Sequence, residues 1–547
     1  MKVMEKIRDR LKEIIRELFG VEMEPEVTVA PDNTGADFAS NVAMKLAKEV
    51  GKSPREVAEK IVEKYEGEAE VAGPGFLNFR LGDEYYLNII EGFQGDFSKN
   101  ISQDEYSGKK VICEFSDPNP FKVLHVGHLY TSIVGEAISK LFELSGAEVV
   151  RANFGGDVGL HVAKTIFVLR NEKLDDLTIE EIARCYVLGT RAYEEDENAK
   201  AEIVQLNKEI YEIAQNNRHD SELAELYWRG RELSYQYFED FYESIGVKFD
   251  KYYPESTVAG RGLTEVKKGL EQGVYEMSDG AVVYRGEKVG LHTRVFINKD
   301  GLPTYEAKDV GLIFTKWDDY RFDKSVVITG NDIIDYMKVV LSSVGEMNAE
   351  LPKRTAHLTH GQVKLPGSVK MSSRKGNFLK AVETIGMVRE ELGGKKADEK
   401  VVQAAVKYAF LKYKVGGDII FDPKESVATT GNSGVYLLYS TVRSKKIIEK
   451  CTKNESAEGF SLNEFEKKLC KKMAQYGEVI KEATKEMAPH KICNYLYEIS
   501  QEFSRFYENV KVAGSEFEQE RKKIVQGYEK IMEHGLNLLG IEVPDEM

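Results

Sequence analysis

Two short stretches of this 547-residue chain hold residue types suited to phosphate chemistry. The first is His125-Val126-Gly127-His128. From Leu129 onward the apolar positions Ile133, Val134, Ala137, Ile138 and Leu141 recur at helical spacing, until Gly146 stops the pattern. The two histidines therefore fall at a helix start, where unpaired N–H groups and the positive dipole end favour an anion. Three residues apart, their imidazoles can point the same way, and Gly127 leaves room for a flat ring against the backbone. Two donors aimed at one phosphate stabilise the charge that builds up in phosphoryl or nucleotidyl transfer. The second stretch is Lys370-Met371-Ser372-Ser373-Arg374-Lys375-Gly376-Asn377. Three cations, two hydroxyls and a glycine in eight residues suit a mobile loop that closes on phosphates. Read singly, each stretch has a plain alternative: ordinary histidines at a helix end, or a solvated basic turn.

The elements around the histidines must hold them in place. Val111 to Phe115 is a short apolar run that reads as a buried strand, followed by a loop with Pro118 and Pro120. Val149 and Val150 open a second strand after the helix, which makes a βαβ unit of about 45 residues. Its loop lies where open parallel sheets bind ligands. Val282–Tyr284, Thr293–Asn298, Ser325–Thr329 and His357–Val363 read as further strands that complete the parallel sheet. They would gather Tyr305, Asp309 and the Lys370 loop around the helix start. The expected centre is a Rossmann-type α/β domain; GxGxxG is missing, so a dehydrogenase reading finds no support.

On either side the pattern changes. Ile7, Leu11, Ile14, Ile15 and Leu18 form a helical stripe ended at Gly20, with helices expected at 41–50 and 54–65 and a strand at 76–81. A tract rich in Asp, Ser, Gly and Asn at about 95–108 joins this region to the next. Residues 178–243 carry Tyr and Leu at helical spacing and read as an inserted helical layer. From about 400 the chain is helical, with stripes such as Ile492, Tyr495, Leu496, Ile499, Phe503, Phe506 and Val510, and a bundle is the natural outcome.

HVGH followed some 240 residues later by KMSSRKGN resembles the paired signatures of class I aminoacyl-tRNA synthetases. The words EFSDPNPFKVLHVGH, RANFGGDVGLH, GLPTYEAKDVG, HGQVKLPGSVKMSSRKGN and GNSGVYLLYSTVR resemble, in order and spacing, those of arginyl-tRNA synthetases. The resemblance covers nearly the whole chain. It implies a tRNA-binding N-terminal domain (1–108), a catalytic domain with a helical insertion (109–385) and a helical stem and anticodon-binding domain (386–547). It implies L-arginine, ATP with its Mg2+ and tRNA(Arg) as partners, with no metal bound by the protein itself. His125, His128 and Lys370 would be catalytic, and Gly127, Met371 and Ser372 would join them in binding ATP. Glu114, Asp117, Pro118, Asn119, His128, Tyr305 and Asp309 would line the arginine site, the last two as a guanidinium-binding pair. Phe76 and Asn78 fall where the family sets a base-stacking aromatic and an amide against the tRNA elbow.

Two departures stand out. Ile333 occupies a place where the family commonly has Gln, and Ser373 takes the second-lysine position of the generic signature, with Arg374 or Lys375 to supply its charge. Rival readings are a nucleotidylyltransferase, which also uses HxGH but has no need of the arginine words, and a silent tRNA-binding paralogue, which should have lost both signatures.

Composition sets outer bounds. Apolar residues make up 42% of the chain, enough for sizeable cores. No apolar run nears the roughly 20 residues that span a membrane. The first twenty residues are amphipathic but contain Asp and Glu, unlike a signal or transit sequence. A cytoplasmic monomer is expected. Cys113, Cys185, Cys451, Cys470 and Cys493 are scattered with no CxxC, which suits reduced thiols and no zinc site. A net charge of −15 argues against indiscriminate nucleic-acid binding, though a local basic face suffices for a folded RNA.

Overall fold

The computed structural model describes residues 2–31, 34–95, 97, 101, 104–172, 177–367, 379–453, 455 and 457–547. The chain gathers into two compact units. One comprises Met1–Ile101, Arg443–Lys481 and Tyr497–Met532; the other comprises Ser102–Val442, Glu482–Leu496 and Glu533–Met547.

The larger unit is built on strand β1 (Lys110–Glu114), helix α1 (Val126–Leu144) and strand β2 (Glu148–Gly155). Helices α2 (Leu160–Glu172), α3 (Ile179–Glu195), α4 (Glu197–Gln215) and α5 (Glu222–Ser244) form the inserted layer. Strand β3 (Lys251–Pro254) returns to the sheet and runs into α6 (Glu255–Glu271). Three short strands follow, β4 (Glu276–Ser278), β5 (Ala281–Tyr284) and β6 (Arg294–Ile297). Then come α7 (Tyr305–Tyr320), β7 (Lys324–Gly330), α8 (Ile334–Met347) and β8 (Thr355–His360). The main sheet has the order β8-β7-β1-β2-β3 and is parallel throughout. Strand order reverses at β1, so the crevice beside its carboxyl end is the topological switch point.

Close helix packing sets the position of the later elements. A side chain at Gly135 would put its Cβ 2.1 Å from the Phe115 ring, so α1 lies directly on the end of β1. A Cβ at Gly262 would come 2.0 Å from the Ala307 carbonyl, and one at Gly311 2.3 Å from that of Val258. Small residues on both helices thus let α6 and α7 cross at backbone distance, which fixes the turn bearing Lys308 and Asp309.

Two of the strands expected in the parallel sheet lie elsewhere. β4, β5 and β6 form their own antiparallel sheet. Asp279 (φ 49°) and Gly280 (φ 81°) make a tight left-handed turn between β4 and β5, the geometry of a two-residue hairpin. The Arg285–Thr293 connection is likewise short for a crossover, and parallel neighbours need a dozen or more linking residues. The expected strand 357–363 also ends early: β8 stops at His360, and Val363–Lys364 pairs instead with Ile419–Ile420.

In the other unit, helices Lys2–Phe19, Val42–Val50 and Pro54–Lys64 pack on a four-stranded antiparallel sheet containing Phe76–Arg80. Ile7, Leu11, Ile14 and Ile15 are buried, but Leu18 is exposed and Phe19 takes its place against the core. Ile499, Phe503, Phe506, Ile524, Tyr528 and Ile531 are all buried, and the Phe503 and Tyr528 rings stack 3.9 Å apart. Among the described residues, no helix is long and apolar enough to cross a membrane.

Candidate active site

A cavity of about 690 Å³ opens at the carboxyl ends of β1, β7 and β8, beside the start of α1. His125, Gly127, His128, Glu114, Asp117, Asn119, Asp309 and Ile333 all line it. The structure therefore brings the histidine stretch and most of the expected arginine residues to one space.

His125 is the N-cap of α1, and its Nδ1 accepts the Gly127 N–H at 3.1 Å. His128, three residues on, accepts the His125 N–H on its own Nδ1 at 3.0 Å. The two rings stack with centroids 3.8 Å apart. Because both Nδ1 atoms are acceptors, the hydrogen-bond network assigns the ring proton to Nε2 in each. Burial lowers the pKa of His125 to about 4, helped by the nearby Lys122 charge. It holds His128 well below its usual value, with His125 adding to the effect. At neutral pH the pair thus presents two uncharged Nε2–H donors. The flat ring against Gly127 is that of His125, since a Cβ there would come 2.8 Å from its Cε1.

Lys370, Met371, Ser372, Ser373, Arg374 and Lys375 lie outside the described residues. The chain is described again from Leu379, where its carbonyl accepts the Val126 N–H at 2.8 Å, and Ala381 N–H reaches the Leu124 carbonyl at 3.0 Å. The segment after the basic stretch is thereby tied to the start of α1.

The loop after β1 carries its own strain. Ser116 and Asp117 both adopt left-handed backbone (φ 72° and 52°), held by the Tyr242 hydroxyl of α5 at Ser116 Oγ (2.8 Å) and by bonds to the end of β2 and the residue after it. Asp117 Oδ1 accepts the Phe154 N–H and Asn119 Oδ1 the Gly156 N–H, both at 2.9 Å. Burial, with Glu114 beside it, raises the Asp117 carboxyl well above the usual range. Pro118 packs its carbonyl on Gly155, where a Cβ would come within 2.5 Å. Pro118 lines a second cavity of about 450 Å³, shared with Asn119, Lys122, His125, His128, Arg184 and Tyr186.

The carboxylates Glu114 and Asp309 of the expected arginine site differ sharply, and so do the members of the expected guanidinium pair, Tyr305 and Asp309. Glu114 is paired in the interior with Lys316, which also reaches Ser325 Oγ at 3.3 Å. Asp309 accepts a hydrogen bond from the Tyr336 hydroxyl, and burial raises its carboxyl to about 7. Tyr305 is 62% exposed, is not in the cavity lining, and has the Lys308 ammonium 5.0 Å from its ring centre. Lys308 itself is buried against Glu255 and Tyr211, tying α7 to α6 and the inserted layer.

Sequence reading had missed Lys316 and Tyr336. Lys316 sits seven residues after Asp309, two turns along one helix, a spacing that could have flagged it. Tyr336 is brought to Asp309 from α8 by the fold alone. On the other unit, Phe76 is 40% exposed and Asn78, two residues on, is buried.

Three family models match the chain: the class I (R) tRNA-synthetase catalytic domain over 97–422, the DALR anticodon-binding domain over 437–547, and the arginyl-tRNA-synthetase N-terminal domain over 3–81. The arginine–tRNA ligase of Parabacteroides distasonis is 27% identical, with 97% of this chain and 98% of the relative covered. The fold is similar to the arginyl-tRNA synthetases of Thermus thermophilus (TM-score 0.79, 21% identity, all of both chains) and Plasmodium falciparum (0.80, 20%, covering 100% and 99%).

Proposed function

The chain belongs to the arginyl-tRNA synthetases of class I, and we propose on that premise how its own residues share the work. The enzyme is an arginine–tRNA ligase. The arginine carboxylate attacks the α-phosphorus of ATP, pyrophosphate leaves, and arginyl-adenylate forms. A hydroxyl of the terminal ribose of tRNA(Arg) then attacks the arginyl carbonyl, and AMP leaves. ATP enters as its magnesium complex.

One observation carries the assignment of roles: two neutral, backbone-anchored imidazoles and the Asp309 carboxyl face the same cavity. Fixed Nε2–H donors that need no reorganisation are suited to negative charge that grows on a phosphate. His125 and His128 take that role, with Gly127 giving the His125 ring the room to fold back on the helix start beside the bound ATP. Lys370, Met371 and Ser372 bind ATP, and the Lys370 cation meets the departing pyrophosphate.

Asp309 receives the guanidinium. A planar cation that never loses its charge needs an anionic partner, and Asp309 is bonded to a hydroxyl instead of a cation. Glu114, its charge balanced by Lys316, contributes a second carboxylate. Asn119 uses its oxygen on Gly156 and keeps its amide N–H groups for substrate. Asp117 and Pro118 shape that wall, and Tyr305 borders it from outside.

The division into 1–108, 109–385 and 386–547 assigns tRNA elbow, chemistry and anticodon in turn. Phe76 offers an exposed ring for base stacking, and Asn78, two residues on and buried, is the amide assigned with it to the tRNA elbow. The enzyme works as a cytoplasmic monomer. Pyrophosphate exchange is the test, run with and without arginine and with and without tRNA(Arg). Arginine-dependent exchange supports this reading. Exchange that ignores arginine would indicate a nucleotidylyltransferase, and no exchange under any condition a silent paralogue.

A further inference from the structure

We infer that Tyr336 is the positioning residue of the arginine site, fixing one oxygen of Asp309 so that the other is presented to the guanidinium. The inference rests on the assignment of Asp309 proposed above. Its ground is a chain of contacts built from three elements. The Tyr336 hydroxyl, on α8, donates to Asp309 Oδ2 on α7. The Tyr336 ring lies 5.3 Å from the Arg294 guanidinium carbon of β6. Arg294 is in turn held by Glu306 of α7 at 3.2 Å. Ring and hydroxyl are thus fixed independently, one by a cation on its face and one by the carboxyl.

The chemistry explains why such a brace is useful. A carboxylate beside a guanidinium can rotate about its Cβ–Cγ bond and offer either oxygen. Binding energy is lost each time that rotation must be stopped. A hydroxyl that can only donate to a charged oxygen stops it in advance, and adds a charge-assisted bond to the ionised form. The groups around Asp309 make the brace matter more. Glu114 on β1, Asp117 in the following loop and Glu255 on α6 all oppose its ionisation, while Lys316 on α7 and the Tyr336 bond favour it. Tyr336 is the one hydrogen-bond partner among these groups that acts directly on the carboxyl. The hairpin sheet β4–β6 supplies the Arg294 that steadies it, which gives this small sheet a part in substrate choice.

The test compares wild type, Tyr336→Phe and Asp309→Asn in tRNA-supported pyrophosphate exchange. Phenylalanine keeps the ring on Arg294 and removes only the hydroxyl, so an unchanged KM for ATP reports an intact fold. The arginine KM of Tyr336→Phe should rise about tenfold to a hundredfold, the equivalent of one hydrogen bond to a charged group. Its kcat at saturating arginine should hold, and its preference for arginine over neutral citrulline should narrow. The midpoint of the arginine pH profile should move upward, since the ionised carboxyl has lost its donor. A purely structural tyrosine would leave that midpoint in place. Wild-type KM and an unmoved midpoint in Tyr336→Phe, with Asp309→Asn impaired, would overturn the inference and spare the Asp309 assignment. An Asp309→Asn enzyme with unchanged arginine KM would overturn both.

Discussion

The two ends of the cavity solve the problem of charge in opposite ways. At the phosphate end, His125 and His128 are neutral, stacked and anchored through Nδ1 to backbone N–H groups of their own helix turn. The imidazoles themselves carry no charge there, and each is fixed through its Nδ1. At the guanidinium end, the Glu114 charge opposes the ionisation of Asp309, and of these two carboxyls Glu114 is the one ion-paired with a lysine. Asp309 has a tyrosine hydroxyl instead. The first end is prepared for charge that appears during the reaction; the second holds an uncompensated site until a cationic side chain arrives. Discrimination between amino acids therefore belongs to the second, and rate acceleration to the first.

The largest effect should come from removing charge at the guanidinium end. Asp309→Asn keeps the shape but leaves the bound guanidinium without its counter-ion, a loss of about 3–5 kcal/mol for one side of a buried pair. Arginine activation efficiency should fall by about 10²–10³ or more. Citrulline, neutral and nearly the same shape, should be rejected by wild type and penalised far less by the variant. Pyrophosphate exchange with both amino acids reads this directly; an unchanged arginine-to-citrulline ratio would move specificity away from Asp309.

Next in size is the phosphate end. Replacing His125 or His128 by Ala removes one donor to the reacting phosphate, which typically costs about 3–4 kcal/mol of barrier, or about 10²–10³ in rate. The loss should appear in kcat for adenylate formation, with the arginine-to-citrulline ratio unmoved. Wild-type adenylation by the double variant would erase the contrast between the two ends.

Much of this contrast was legible in the chain, but unevenly. The histidine turn could be read because its frame is local: an apolar stripe from Leu129 to Leu141, a cap, and a stop at Gly146; the ties from Leu379 and Ala381 to the helix start are not, and no spacing announced them. The expected arginine wall was half legible. Asp309 reaches the cavity as the resemblance implied, while Tyr305, one turn earlier on the same face, is the first residue of α7 and lies beyond the cavity lining, a difference of position along the helix that i, i+4 spacing does not show. Tyr336 could not have been found, since no spacing along the chain announces a contact across 27 residues between two helices. β5 and β6 were recognisable as strands, yet their partners were misread. The Asp279-Gly280 turn held that information, and alternation of apolar residues does not.

A smaller effect should appear in the pH dependence of arginine binding. Asp309 in the free enzyme has its carboxyl raised to about 7, and a guanidinium beside it favours the ionised form. Below about pH 7, binding must then expel a proton, and affinity should weaken by up to tenfold per pH unit. Above that it should level off. Calorimetry in buffers of different ionisation enthalpy should count about one proton released at pH 6 and almost none at pH 8. Equal counts at both would show that Asp309 is ionised throughout, and the two ends would differ less than their geometry suggests. The histidines, neutral across this range, should add nothing to the count.

The smallest effect is on stability, and it has the opposite sign to the loss of activity. A carboxyl whose pKa is raised on folding binds protons more tightly in the native state than in the unfolded chain. Its favourable contribution is complete below the unfolded value near 3.8 and is lost as pH rises through about 7. At pH 8 the native enzyme therefore bears the cost of an ionised, poorly compensated group. Asp309→Asn removes that cost and can still accept the Tyr336 hydroxyl, so the variant should melt a few degrees higher than wild type at pH 8. The difference should shrink as pH falls below 7, because the wild-type carboxyl is then protonated and resembles the amide. Arginine should raise the melting temperature of wild type at pH 8 and scarcely move that of the variant, since the ligand supplies the cation that the site lacks. Thermal melts of both proteins at pH 8 and pH 5, with and without arginine, test the pattern. A variant less stable than wild type at pH 8 would mean that Asp309 is a structural ion, and the strain ascribed to the guanidinium end would have to be sought in Glu114 or Asp117.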